Sequence, residues 1–192
     1  MKALDYLRIG IQYLHLVDNV IQETINQNNT WVMTSSEDIS WDEYDEKTKW
    51  SDFRIIVPVM FDLYHGIELT LKGLETLDNF KKSKNHKLSK LVRSVEHSYP
   101  NTNVINFFLK YTKIKNIPDP LKTFFSKSCI SINDYYQAFK YPENLEGSKK
   151  YLHIELKYKD NEGVEFYSNL SKDIQLFLKE LVTLVRVKES KR

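Results

Sequence analysis

The sequence predicts a mainly all-α protein that folds as an up-and-down helical bundle, with a small β-hairpin inserted before the last helix. In several long segments apolar residues recur every three or four positions, which is the period of an amphipathic helix. One segment alternates strictly instead, which is typical of a strand. With 192 residues, 41% of them hydrophobic, the chain fits a single domain, 1–192, that buries its own core.

The first two predicted helices carry the longest apolar stripes. The first helix covers 4–25, and a long acidic connection over 26–52 follows it, which we expect its tryptophans to pin to the helices. The second helix, 53–77, has an unbroken three-four alternation that predicts a buried stripe of about five turns. Pro58 either kinks this helix or marks its true start.

Shorter elements complete the bundle. A third helix runs from His86 to the residue before Pro100, and a fourth covers 103–114. An insertion of about 117–169 then begins with a helical turn and a loop, and a closing helix covers 174–185.

The β-hairpin is predicted inside that insertion. Its first strand, 151–158, alternates apolar and polar side chains, with Leu152, Ile154 and Leu156 on one face. The run Asp160-Asn161-Glu162-Gly163 supplies the turn that leads into a second strand at 164–166.

Composition excludes several classes of protein. The 28 basic and 26 acidic residues nearly cancel, so no global field draws the chain onto nucleic acid or anionic lipid. Cys129 is the single cysteine, which excludes an internal disulfide and suits a reducing compartment, so we predict a soluble, cytoplasmic protein without a secretion signal or membrane span. The spacing of acidic and histidine residues predicts no metal, and five glycines form no phosphate-binding loop, so no cofactor is predicted.

Three segments of the chain resemble the HEPN superfamily in order and spacing. They are Tyr64-His65-Gly66-Ile67-Glu68-Leu69-Thr70-Leu71-Lys72-Gly73-Leu74, His86-Lys87-Leu88-Ser89-Lys90-Leu91 and Tyr136-Gln137-Ala138-Phe139-Lys140-Tyr141-Pro142-Glu143. They are similar to that family's "H-x-I-E-L-x-L-K-x-L" helix, its histidine-led "H-x-L-x-x-L" and the tyrosine-proline segment before its last helix. The resemblance covers about 53–187. It implies a four- or five-helix bundle, a homodimer, and a role in RNA cleavage, nucleotide binding or defence against phages and mobile elements.

Arg93 and His97 are the candidate catalytic residues. The HEPN nucleases are recognised by an arginine followed by a histidine with four to six residues between them, and this pair has only three. A histidine can move a proton from an RNA 2′-hydroxyl while an arginine stabilises the phosphate, and residues four apart share one helix face. Arg8 and His15 have six residues between them, but they lie on the first helix and are interpreted as a chance match.

His65, Glu68, Lys72 and His86 are the candidate ligand-binding residues. The first three lie three and four apart and therefore project from one strip of the second helix. This strip either forms a polar pocket, with Lys72 receiving a phosphate, or is simply solvent-exposed. His86 either caps the third helix or contributes to the site; helical rise places it about three turns from Lys72 and out of contact with His65.

Two further clusters have alternative interpretations. A basic run covers the connection between the second and third helices and either tracks a phosphate backbone or is a solvated turn: Lys81, Lys82, Lys84, Lys87, Lys90 and Arg93. An aromatic cluster either stacks bases or, as we prefer, forms core under a loop: Tyr135, Tyr136, Phe139 and Tyr141.

Three functions are consistent with these patterns. The first is a non-catalytic HEPN-like module of a phage-defence or toxin–antitoxin-type system that binds RNA, a nucleotide or a protein partner. The second is a metal-independent endoribonuclease of the HEPN type that uses Arg93 and His97. The third is a helical scaffold without a small-molecule site.

Overall fold

The computed structural model describes residues 3–35, 38–79, 84 and 86–190, and these residues are mostly helical. The described helices are α1 (Ala3–Asn26), α2 (Trp41–Thr48), α3 (Asp52–Asn79), α4 (Leu88–Ser98), α5 (Asn103–Thr112), α6 (Leu121–Lys127), α7 (Tyr135–Ala138) and α8 (Asp160–Ser190). Two 3-10 turns cover Ile132–Asp134 and His153–Leu156. None of these helices has the combination of length and apolar character that crossing a membrane requires.

Helices α1 and α3 form the central pair of the bundle, and glycines let them approach closely. A Cβ atom on Gly10 would lie 3.0 Å from the backbone nitrogen of Thr70 and 3.1 Å from the carbonyl oxygen of Gly66. A Cβ atom on Gly73 would lie 2.6 Å from the side chain of Leu7. The absence of side chains at these positions therefore sets the distance between the two helices.

The buried apolar side chains form one core that the other helices cover. Helix α8 packs along α1 and against α5, where the ring of Phe177 stacks on that of Phe107 with centroids 4.4 Å apart. At the other side of α3, the ring of Tyr64 stacks on that of Phe139 at 5.7 Å. The predicted helical bundle is confirmed.

Trp31 anchors the connection between α1 and α3 to the entry of α8. The indole Nε1 of Trp31 donates to Asp160 Oδ1 at 2.6 Å, and its ring meets the ring of Tyr158 edge-on. Trp41 is 85% exposed at the start of α2, so the prediction that the tryptophans pin this connection is wrong for Trp41. Helix α3 already begins at Asp52, so Pro58 lies inside the helix and does not mark its start.

A buried carboxylate joins three distant parts of the chain. Asp52 is fully buried and its side chain accepts hydrogen bonds from Asn29 Nδ2 at 2.9 Å and from the backbone nitrogens of Tyr158 and Lys159 at 2.9 and 2.8 Å. Asn29 also accepts from the backbone nitrogen of Asp52 at 2.7 Å. These bonds fix the end of α1, the start of α3 and the entry to α8 relative to one another.

The β-hairpin predicted over 151–166 is wrong. Leu152 and Ile154 are 38% and 56% exposed, so the alternating residues do not form a buried strand face. The run 160–163 forms the first turn of α8 instead of a hairpin turn, and its acidic residues Asp160 and Glu162 interact favourably with the amino-terminal end of the helix dipole.

Candidate functional site

An ion pair lies buried on α3, which is unusual because charged side chains are rarely buried without partners. The side chains of Glu68 and Lys72 are each 6% exposed, and Lys72 Nζ lies 2.6 Å from Glu68 Oε1. The hydroxyl of Tyr135, at the start of α7, donates to the other carboxylate oxygen, Oε2. The alternative of a solvent-exposed strip is therefore wrong for Glu68 and Lys72.

His86 completes this group from the segment that precedes α4. Its Nδ1 lies 2.9 Å from Glu68 Oε1 and 3.1 Å from Lys72 Nζ, while 77% of its side chain is exposed. The prediction that three helical turns separate His86 from Lys72 is wrong. His86 follows Asn79 by seven residues, and seven residues at about 3.3 Å each can span more than 20 Å. The chain is therefore long enough for His86 to lie two turns back along α3, at the level of Lys72.

His86 does not cap α4 either. That helix begins at Leu88, and Lys87 occupies the N-cap position without a side-chain capping bond. The amide of Ser89 instead donates to Asn133 Oδ1 at 3.1 Å, and Asn133 Nδ2 donates to Ser89 Oγ at 3.0 Å. This pair of bonds joins the start of α4 to the 3-10 turn beside α7.

Glu68 and His86 of this group line a cavity of about 590 Å³. The cavity is lined by His65, Glu68, His86, Asn133, Asp134, Tyr135, Tyr136 and Gln137. At its rim, Tyr136 is 45% exposed and its ring lies 5.6 Å from that of Phe61. The half-buried ring of His65 is stacked on Phe61 and meets Tyr13 edge-on at 4.8 Å. His65 and His86 thus line one cavity, although no hydrogen bond joins them.

The surroundings of the site determine its protonation. Burial alone would raise the pKa of Glu68, but hydrogen bonds from Lys72 and Tyr135 and the charge of Lys72 outweigh burial and hold that pKa below its ordinary value. Burial lowers the pKa of His65, and burial together with the charge of Glu68 raises that of Tyr135. At neutral pH the site therefore contains a carboxylate, a neutral phenol and a neutral His65.

The lowered pKa of Glu68 makes protein stability depend on pH. A carboxyl group whose pKa is lower in the folded state stabilises the fold above its unfolded pKa, about 4.3, and loses this contribution as pH falls through the folded value. We therefore expect the difference in free energy of unfolding between wild type and Glu68→Gln to shrink as pH falls below about 4.3. Urea denaturation of both proteins between pH 7 and pH 3 measures this difference in free energy of unfolding. A difference that is constant with pH would contradict the assignment.

The candidate catalytic pair lies outside the cavity lining. Arg93 and His97 are exposed on α4, and their side chains make no hydrogen bond or ion pair with another described residue. Lys84, Lys87 and Lys90 are also exposed, whereas Lys81 and Lys82 of the basic run lie outside the described residues. The structure therefore does not bring Arg93 and His97 together with the ligand-binding candidates.

The aromatic cluster divides into two pairs. Tyr135 and Phe139 are buried, as the prediction of core under a loop requires. Tyr136 and Tyr141 are 45% and 42% exposed, and Lys140 Nζ lies 5.0 and 5.4 Å from their ring centroids. The prediction is therefore wrong for this second pair, which forms part of the surface.

A second cavity, of about 580 Å³, lies between α5, α6 and α8. Tyr111, one of the residues that line it, is buried, and its hydroxyl donates to Asp173 Oδ2 at 2.6 Å. Lys110, which also lines the cavity, is paired with the same carboxylate at 2.5 Å. Its polar groups are thus engaged with each other or exposed at the rim. Across the ranges that the structure describes, no group of three or more His, Cys, Asp or Glu side chains could hold a metal ion.

Sequence reasoning missed the cavity partners that come from the insertion. Tyr135 contacts Glu68 across 67 positions, and the residues Asn133 and Gln137 carry no periodic signal. The sequence did contain one signal that such partners exist. A Glu–Lys pair four residues apart in the most apolar helix of the chain requires further hydrogen-bond partners if it is buried.

The fold and site together define a class of protein: a helical bundle with a buried Glu–Lys pair whose carboxylate also contacts a histidine and a tyrosine and lines a cavity. Comparison of the chain with family models, with curated proteins and with solved structures finds no match.

Proposed function

We propose that this protein is a HEPN-like, non-catalytic module that binds RNA or a nucleotide in the cavity above Glu68 and Lys72, in a phage-defence or toxin–antitoxin-type system. The observation that carries the proposal is that the exposed ring of Tyr136 and the exposed imidazole of His86 line the same cavity. An aromatic face accepts a base of any identity, and a nearby cationic or polar group accepts its phosphate. The likeness of the segments around His65 and His86 to HEPN motifs supports the same class of function.

The cavity also contains a group suited to reading a base. Gln137 lines it and makes no side-chain hydrogen bond within the described residues, so its amide can both donate and accept. Asn133, in contrast, is held by Ser89 and acts as part of the wall. The site therefore combines a stacking surface, a polar base-reading group and a phosphate-facing histidine.

Truncating Tyr136 tests this function. We expect Tyr136→Ala to weaken the binding of a single-stranded RNA decamer about tenfold or more, because base–aromatic stacking contributes about 1–3 kcal/mol. Fluorescence anisotropy measures the affinity. Tyr141→Ala is the matched control, since Tyr141 is exposed to a similar extent and contacts the same lysine but does not line the cavity. Equal losses in both variants, or no RNA or nucleotide binding by wild type, would contradict the proposal and favour a scaffold.

The HEPN resemblance also implies a homodimer, which we propose to form through α1. Ile9 and Leu16 are 40% and 49% exposed, and they align with the half-buried Tyr13 and Val20 on one face of that helix. An antiparallel crossing of two such faces is self-complementary. Light scattering that gives twice the 22.8 kDa chain mass would support the dimer, and a mass of one chain would contradict it.

A metal-independent ribonuclease is the second candidate. The specific observation that favours it is the hydrogen-bonding contact between Glu68 and His86, because a carboxylate that orients an exposed imidazole is a common arrangement for proton transfer. In this alternative Arg93 and His97, on the following helix, stay the motif-based candidates. Incubation of RNA with the protein in EDTA tests it: cleavage that Arg93→Ala, His97→Ala or His86→Ala abolishes would support the nuclease, and intact RNA would exclude it.

A further inference from the structure

Three polar atoms meet at the inner edge of the His86 ring, where each neutral tautomer of His86 makes one favourable and one unfavourable contact through Nδ1. Glu68 Oε1, Lys72 Nζ and His86 Nδ1 lie within 3.1 Å of one another. One ring nitrogen carries either a hydrogen or a lone pair. If Nδ1 carries the hydrogen, it donates to Glu68 but faces the hydrogens of the Lys72 ammonium. If Nδ1 carries the lone pair, it accepts from Lys72 but faces the carboxylate oxygen.

The two neutral tautomers of His86 also differ at the exposed edge of the ring. With the hydrogen on Nδ1, Nε2 presents a lone pair, which repels an anion. With the hydrogen on Nε2, the ring can donate to an anion, but Nδ1 then opposes Glu68. Only the doubly protonated ring donates both to Glu68 through Nδ1 and to a bound anion through Nε2; its Nδ1 hydrogen faces the ammonium of Lys72 as it does in the first neutral tautomer.

The charges around His86 determine when this protonated form is favoured. From α3, the charges of Glu68 and Lys72 cancel, and His65 is neutral because burial lowers its pKa. From the other wall, the phenol of Tyr135 is neutral, and the carboxylate of Asp134 accepts from the amide and hydroxyl of Ser131 at 2.8 and 2.7 Å. Because the charges of Glu68 and Lys72 cancel, an anion at the exposed ring edge supplies the attraction that favours a second proton on the ring of His86.

We infer that the site binds the phosphodiester group of its ligand together with one proton, which His86 takes up from solvent. The phosphate then lies against Nε2, while Glu68 holds Nδ1. This inference rests on the proposed function, since it specifies how that cavity binds the phosphate of RNA. It also makes affinity depend on pH: because the complex holds one more proton than the free protein, binding weakens as pH rises.

The test uses a ligand that does not itself titrate. The probe is a single-stranded RNA decamer without terminal phosphates, whose phosphodiesters stay singly charged, and calorimetry at pH 7.5 in buffers of different ionisation enthalpy gives the number of protons taken up. We expect an uptake approaching one proton for wild type and for the control His15→Gln, whose histidine is exposed on α1. We expect no uptake for His86→Gln, with affinity that no longer changes with pH.

Each outcome decides one of the two claims. RNA binding by wild type without proton uptake, or an uptake that persists in His86→Gln, would overturn the role of His86 and leave the proposed function standing. No RNA binding by wild type between pH 5.5 and 8.5 would overturn the proposed function as well. His86→Gln is suited to the comparison because the side chain it changes is 77% exposed, and circular dichroism confirms that the variant is folded.

Discussion

Replacing Lys72 by methionine lowers the free energy of unfolding by about 3–5 kcal/mol, because it leaves the buried carboxylate of Glu68 without its cation. Methionine fills much of the same space, so the loss reports mainly on charge. The hydroxyl of Tyr135 and the ring of His86 still contact the carboxylate, but neither is a permanent cation. Urea denaturation at pH 7.5 measures the change.

Lys90→Met is the matched control for this substitution. Lys90 is exposed on α4 and its side chain makes no hydrogen bond or ion pair with another described residue, so we expect a change of within about 0.5 kcal/mol. A loss below about 1 kcal/mol for Lys72→Met would mean that solvent reaches Glu68 and that the ion pair is a surface pair.

The second large effect is expected at Asp52. Asp52→Ala removes the acceptor for the amide of Asn29 and for the backbone nitrogens of Tyr158 and Lys159. Each buried donor left without a partner costs about 1–3 kcal/mol, so we expect the free energy of unfolding to fall by about 3 kcal/mol or more. Denaturation with urea measures this loss too.

Asp42→Ala provides the comparison for Asp52→Ala. Asp42 is exposed on α2 and makes no hydrogen bond with another described side chain, so its removal should change stability little. If the two alanine variants were equally stable, the network around Asp52 would not hold the entry of α8 to α1 and α3.

Hydrophobic periodicity predicted α1, α3 and α5 well, but the predicted closing helix, 174–185, covers less than half of α8, Asp160–Ser190. The predicted 4–25 and 103–114 lie within two residues of α1 and α5 at each end, and the stripe over 53–77 corresponds to α3. These helices bury one face against a neighbour, and burial of one face is the property that periodicity reports. Periodicity failed over 151–158, where Leu152 and Ile154 are exposed, Leu156 is buried at the end of a 3-10 turn, and α8 follows instead of a second strand.

The candidate site was predicted in part. The spacing of His65, Glu68 and Lys72 placed them correctly on one strip of a helix, since this depends only on local geometry. The position of His86 depends on how the chain returns along α3, and the contact with Tyr135 joins positions 67 apart. Local sequence pattern determines neither the position of His86 nor the contact between Tyr135 and Glu68, because contacts between distant segments follow from the packing of the whole bundle.

Photo-crosslinking tests the central claim most directly, since it locates bound RNA on the chain. An RNA decamer containing 4-thiouridine is bound to wild type and irradiated, and mass spectrometry identifies the crosslinked peptides. We predict crosslinks to the peptide that contains His86 and to the peptide that contains Tyr136. In Tyr136→Ala, we expect the crosslink to the peptide around position 136 to be lost. Crosslinks confined to α8 or to the cavity between α5 and α6, with none at His86 or Tyr136, would contradict the account.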